Sequence, residues 1–307
     1  MAKKEKKQEP MQKQKPKVEG LVGPGGVIMK KLPASWDFTR SIQIWQGAPK
    51  SGKTSTAAAL GPVAREYGIP GINPFFLLFE AGSGGVEVDC TMKPCACGGK
   101  DPDCTDCDGE GVARLVLTED NNPANPFETI DEWFDWAAQS PHNPIVVDTA
   151  DAMFSAVNDG ICLQMGINDP SQSDHGTAWS AIAAKWRELC GVLTGVNKSV
   201  IFLAHIYYQE KRLRGGASIT TATFNVSGKS KQFLEGAANQ IVHFEVEPSE
   251  DDDKHILTTR RCAGIEAGDQ WKVYPEMLDL GNSPEAGAKA ILGCFYELEE
   301  EKENKKQ

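Results

Sequence analysis

The segment GAPKSGKT, residues 47–54, brings together what is needed to hold a chain of phosphates. Glycines let consecutive backbone N–H groups curl around an anion, and a helix starting directly afterwards, in STAAALG, adds the partial positive charge of its N-terminus. A strand-like apolar run in front and a helix behind are the setting that the phosphate-loop pattern requires. Gly47, Ala48, Pro49, Lys50, Ser51, Gly52, Lys53, Thr54 and Ser55 therefore read as a nucleotide cradle. In it Lys53 reaches the β- and γ-phosphates, and the Thr54 hydroxyl holds a magnesium ion.

Further polar residues stand where apolar runs end, and in a parallel sheet such ends face the ligand crevice. Glu80 closes FFLLFE and can orient or deprotonate an attacking water, or serve only as a loop or helix-capping carboxylate. Asp148 in PIVVDTAD is the acid expected to complete the magnesium shell, directly or through water. Asp151, three residues on, is a weaker candidate, with capping of the following helix as its simpler role. His205 ends SVIFLAH, where an imidazole can contact a γ-phosphate and report its loss; a histidine satisfied within the core is the plainer alternative.

Four of the nine cysteines fall in PCACGGKDPDCTDCDGEG: Cys95 and Cys97 separated by one residue, then Cys104 and Cys107 separated by two. Glycine-bearing turns after each pair let four thiolates converge on a tetrahedral zinc at about 2.3 Å, the closed coordination of a structural site. No position is left for metal catalysis, so the expected role is to stiffen the insertion or to present a partner surface. Cys90 is near enough to be a spare ligand, and Cys162, Cys190 and Cys294 read as packing residues. Disulfides are the alternative, expected only in an oxidising compartment.

Strands alternating with helices would position these groups. SIQIWQG, FFLLFE, PIVVDT and SVIFLAH are short, nearly continuous apolar runs, as strands buried on both faces must be. Helical spacing fills residues 54–67, 126–138 and 178–193 between them, which implies an α/β domain with a mainly parallel sheet. Residues 240–246, 255–261 and 271–274 read as further strands, and residues 83–118 as an insertion with hardly any helix or strand pattern. The expected organisation is a disordered basic tail over 1–19, one domain over 20–300 with a zinc-binding insertion at 90–111, and a charged tail over 301–307.

With 307 residues, 40% hydrophobic and 24% charged, the chain can bury a core, which excludes wholly disordered, collagen-like or coiled-coil readings. No run of about 18 apolar residues occurs and the start MAKKEKKQEP lacks a signal-like stretch, so a soluble cytoplasmic protein with no membrane contact is expected. A formal net charge of -11 argues against coating nucleic acid over the whole surface. The first 20 residues run the other way, with seven Lys against three Glu.

The motif order GxxxxGKT, strand-end Glu, VVDT and strand-end His resembles the RecA-like P-loop ATPases. The likeness is strongest to the phage-encoded RecA-fold proteins of AAA nucleotide-binding type that include the single-strand annealing recombinases. The Pro-Lys inside GAPKSGKT, FEAGS after the second strand, DHGTAW at 174–179 and FLAH at 202–205 carry it across residues 36–280. It implies a RecA-like core, hydrolysis of ATP with magnesium, a homo-oligomer with nucleotide near a subunit boundary, and work on single-stranded DNA in a bacterial host cytoplasm. By that resemblance Lys53 and Thr54 bind triphosphate and magnesium, Glu80 is the catalytic carboxylate, Asp148 the Walker B acid and His205 the γ-phosphate sensor.

Such proteins often follow the sensor strand with a DNA-facing loop. Here residues 207–231 hold Lys211, Arg212, Arg214, Lys229 and Lys231 among Tyr207, Tyr208 and Phe224, the mix of cations and rings that grips single strands. A solvated loop fits the same composition. The chain departs from the family pattern at AGDQWK, where Gln270 stands in place of an arginine that reaches a neighbour's phosphates, leaving Lys272, Arg260 or Arg261 for that task. The whole reads as an ATPase of phage-type recombination, annealing or replication, working with a replication or recombination partner protein. A DnaB-like helicase motor, which normally needs an N-terminal helical domain larger than the first 35 residues, and an ATP-gated loader without DNA dependence are the alternatives.

Overall fold

The computed structural model describes residues 21–22, 28–29, 36–80, 86–105, 110–212, 216, 218–226, 228–248, 253–260 and 264–298. The chain forms two compact units, residues 1–35 and 36–307. In the first, β1 (Leu21–Val22) pairs antiparallel with β2 (Ile28–Met29).

The second unit carries every motif. β3 (Ile42–Gly47) runs into the phosphate loop and α1 (Lys53–Glu66), and β4 (Phe75–Leu78) follows. Next come the edge strand β5 (Asp89–Cys90) and a hairpin of β6 (Met92–Pro94) and β7 (Val112–Arg114). α2 (Glu128–Gln139), β8 (Ile145–Asp148), α3 (Ala150–Met165) and α4 (Thr177–Thr194) resume the alternation. β9 (Val200–Arg212) turns back into β10 (Ser218–Phe224). α5 (Gly228–Ala237), β11 (Gln240–Glu247), β12 (Lys254–Thr258), β13 (Gly268–Asp269), β14 (Met277–Gly281) and α6 (Pro284–Gly293) complete the unit.

The main sheet has the order β14-β12-β11-β3-β9-β8-β4-β5, with β10 on β9 and β13 on β11. From β11 to β5 all neighbours are parallel, so this is the mainly parallel sheet that the alternating pattern implies. Successive side chains serve opposite faces. Phe75, Leu77, Ile145, Val147 and Phe202 pack under α2, α3 and α4, while Phe76, Leu78, Val146, Ile201 and Leu203 pack under α1 and α6. Helices on both faces explain why these strands read as unbroken apolar runs. No described helix is long and apolar enough to cross a membrane.

Three local expectations are corrected. Residues 83–118 are not bare of strands, since β5, β6 and β7 lie there. Residues 207–231 are not a loop: β9 continues past His205 and pairs with β10 as far as Arg212↔Ser218, and α5 follows. Residues 271–274 are a turn rather than a strand, because the Asp269 carboxylate accepts from the N–H groups of Trp271, Val273 and Tyr274 and Lys272 takes a φ of 55°.

Candidate nucleotide site

Four parallel strands deliver the site. β3 ends in Gly47, β9 carries His205 opposite it, β8 ends in Asp148, and β4 leads to Glu80 two residues past its end. β9 lies between the loop-bearing strand and the acid-bearing strand. Their C-terminal ends therefore form one edge, the position at which open parallel sheets bind ligands.

The loop is tight enough to demand its glycines. A Cβ on Gly47 would lie 2.5 Å from the Phe244 carbonyl oxygen, and Gly52 takes a φ of 88°, in the left-handed region. Gly52 stands at the N-cap of α1 with no side-chain cap, leaving the first N–H groups of the helix to an anion. Lys53 is buried, its ammonium donating to the carbonyls of Gly47 at 3.0 Å and Ala48 at 2.9 Å. Burial lowers its pKa to about 8 against the opposing pull of Asp151, Asp148 and Glu80.

Asp148 is 1% exposed. Thr54 donates its hydroxyl to Asp148 Oδ2 at 3.2 Å, and Oδ1 has no hydrogen-bond partner among the described residues. Burial, then the Glu80 charge, raise this carboxyl to about 6, although Thr54, Lys53 and His205 hold it down. One hydroxyl and one unsatisfied carboxylate oxygen suit a hard, oxygen-seeking divalent cation such as magnesium.

His205 and Glu80 line the adjoining side. Glu80 Oε1 lies 3.9 Å from His205 Nε2, and Glu80 Oε2 accepts from the Thr149 hydroxyl at 3.4 Å. His205 Nδ1 meets Asp151 Oδ2 at 3.1 Å, and its backbone N–H donates to Asp151 Oδ1 at 2.9 Å. That contact raises the imidazole pKa against the effect of burial. Burial alone would raise Asp151, but the bonds from His205 outweigh it and hold the carboxyl below its ordinary value. Asp151 is thus the anchor of His205 and not the cap of α3, a task that Thr149 performs toward the Ala152 N–H. Nothing local in the sequence announces this, since the two residues meet only when α3 starts beside β9.

The basic positions after His205 divide. Arg212 and Lys229 are exposed; Lys211 belongs to β9 with its side chain outside the described set, and Arg214 lies outside the described residues. Lys231 turns inward, bonded to Glu266 at 2.6 Å and to the Thr223 hydroxyl, over the Phe224 ring. Tyr207 and Tyr208 are exposed. Lys272 is exposed, Arg260 pairs with Glu276 at the surface, and Arg261 lies outside the described residues. In the cysteine insertion, the sulfurs of Cys95, Cys97 and Cys104 lie within 4.8 Å of one another, while Cys107 lies outside the described residues.

The sequence model of a family described as an AAA domain matches residues 40–271, a span that contains the loop, Glu80, Asp148, His205 and the four clustered cysteines. No curated protein matches the chain. Among solved structures, a KaiC-like protein from the hyperthermophilic archaeon Pyrococcus horikoshii OT3 is similar at 12% identity and a TM-score of 0.40, over 80% of this chain and 88% of that one. With residues 40–271, most of its length, inside the family match, the chain belongs to the AAA-domain family of P-loop ATPases.

Proposed function

We propose that the protein hydrolyses ATP with magnesium and passes loss of the γ-phosphate into the β9–β10 hairpin, altering its hold on single-stranded DNA during phage-type recombination, annealing or replication. The ATPase step rests on one observation above all: the buried Asp148 carboxylate has Thr54 on one oxygen and, among the described residues, no partner on the second. A buried polar atom without a partner is rare and asks for a ligand. Thr54 and Asp148 would hold magnesium, which when bound neutralises phosphate charge. Lys53 exchanges the carbonyls of Gly47 and Ala48 for phosphate oxygens. Glu80 takes the proton of the attacking water, and His205, fixed by Asp151, faces the γ-phosphate.

His205 and the hairpin share one strand, so a shift at the imidazole is transmitted along β9. The exposed rings of Tyr207 and Tyr208 and the cations of Arg212 and Lys229 support a nucleic-acid role, since rings stack on bases and cations follow phosphates. In a homo-oligomer the exposed Lys272 replaces the arginine missing at Gln270. A structural zinc on Cys95, Cys97, Cys104 and Cys107 completes the reading. An ATP-gated loader is the second reading, favoured by the inward pairing of Lys231, which leaves one cation fewer for DNA.

Hydrolysis measured with and without single-stranded DNA decides between them. Stimulation by DNA is expected, lost in Lys53→Ala together with about 10²–10³-fold of the basal rate. With Arg212 and Lys229 as the phosphate contacts, a fourfold rise in salt weakens DNA binding about sevenfold. Hydrolysis indifferent to DNA moves the assignment to the loader.

A further inference from the structure

Among the described residues, the hairpin that bears the cysteines has almost no core of its own. Its ladder is three residues per strand, with Lys93, Pro94 and Val112 exposed. Its buried apolar cluster consists of Cys95 and Ala113 with Cys97 and Cys104 packed against them. Ordering a chain segment costs conformational entropy at every residue, and contacts this few do not offset it. A metal does so in small domains of this kind, because its binding free energy is also folding free energy. The sulfurs fit one: Cys95 Sγ and Cys104 Sγ are 3.7 Å apart, and a tetrahedron with 2.3 Å metal–sulfur bonds has edges of about 3.8 Å. The Gly99 N–H also donates to Cys97 Sγ at 3.4 Å, a contact that orients a metal-bound thiolate.

Both arms of this hairpin run onto the edge of β4 where β5 pairs, beyond the end of that short strand. Thr91, fully buried, donates its N–H to the Phe76 carbonyl at 3.0 Å. Its hydroxyl accepts from the Leu78 N–H at 3.3 Å and donates to the Leu115 carbonyl at 2.6 Å. From the other arm, the Leu117 N–H donates to the Leu78 carbonyl at 2.6 Å. Leu78 lies two residues before Glu80, and both of its backbone groups on this edge are held by the arms.

We propose that the metal on the cysteine cluster braces the end of β4, so that metal occupancy sets the placement of Glu80 and the rate of hydrolysis but not nucleotide affinity. Thr91 is the positioning residue that ties the arms to the strand. This rests on the zinc and ATPase readings above, and the test separates their failure from its own.

Hydrogen exchange is followed in the full chain, zinc-loaded and after chelation, at residues 75–80 with residues 42–47 as internal reference. One zinc per chain is expected by elemental analysis. On its removal, exchange at 75–80 accelerates at least about tenfold while 42–47 keep their protection, the pattern of a local opening. Binding of a fluorescent ATP analogue is unchanged, hydrolysis falls about tenfold, and added zinc reverses both changes. Thr91→Val gives the same loosening and the same loss of rate with zinc still bound, and Thr91→Ser, which keeps the hydroxyl, restores both. Absence of zinc overturns the metal reading. Zinc whose removal leaves 75–80 protected overturns the brace. If the wild-type chain does not hydrolyse ATP, the exchange measurement still decides the brace by itself.

Discussion

Replacing Glu80 by Gln lowers the single-turnover rate of ATP hydrolysis by about 10²–10⁴-fold, the contribution of a positioned general base, and leaves ATP binding in place. Glutamine keeps the length of the side chain and the acceptor that meets the Thr149 hydroxyl, but it cannot take a proton. The Glu80 side chain is 35% exposed, enough for water to reach it, and its Oε1 lies beside His205 Nε2. Its negative charge is also the second cause of the raised Asp148 pKa. Removing that charge therefore eases ionisation of Asp148, and affinity for magnesium and nucleotide holds or rises while turnover falls. A catalytic base gives this pair of opposite changes; a structural carboxylate does not. A rate loss below about tenfold would assign Glu80 to the lesser role of a loop carboxylate.

The residues that could be read in sequence are those whose chemistry is local. The phosphate loop is contiguous, so eight residues and their flanks carry the whole signal. Asp148 and His205 stood out because a polar residue after four to six apolar ones marks the end of a buried parallel strand, and the structure places both on the site edge. What was illegible depends on partners far along the chain. Asp151 meets His205 across 54 residues, and Lys231 meets Glu266 across 35. Composition gives Lys231 a charge but not the carboxylate that draws it inward. The hairpin was hidden for a related reason: past His205, β9 leaves β3 and pairs with β10, so residues 207–210 face solvent and show no apolar run. The edge strand β5 is two residues long and exists only because β4 is beside it, which no periodicity can reveal.

The same buried acid that the reaction needs works against the fold. Asp148 carries an oxygen without a partner among the described residues, and its carboxyl is raised from 3.8 to about 6. A raised carboxyl means that the folded state holds the charge reluctantly. Its cost is present in full above pH 6, is relieved as the folded chain takes up a proton through about pH 6, and is gone near pH 4. Keeping the charge in the folded state costs about 3 kcal/mol at pH 7. Asp148→Asn, which keeps the shape without the charge, is therefore expected to raise the melting temperature of the nucleotide-free protein by several degrees at pH 7, at about 2–4 °C per kcal/mol for a domain of this size. Its advantage over the wild type shrinks as the pH is lowered from 7 to 5. In the same variant hydrolysis falls about 10²–10³-fold, because a neutral amide no longer supports the cation and its phosphate. Thermal melts across that pH range, beside the hydrolysis rate, read both effects. A variant no more stable than the wild type at pH 7 would mean that water already satisfies the second oxygen of Asp148. A gain in stability with activity intact would remove Asp148 from the magnesium site. Stability and activity moving apart at this one carboxylate is the outcome that a preformed cation site requires, because the ion restores what the fold gives up to keep the charge buried.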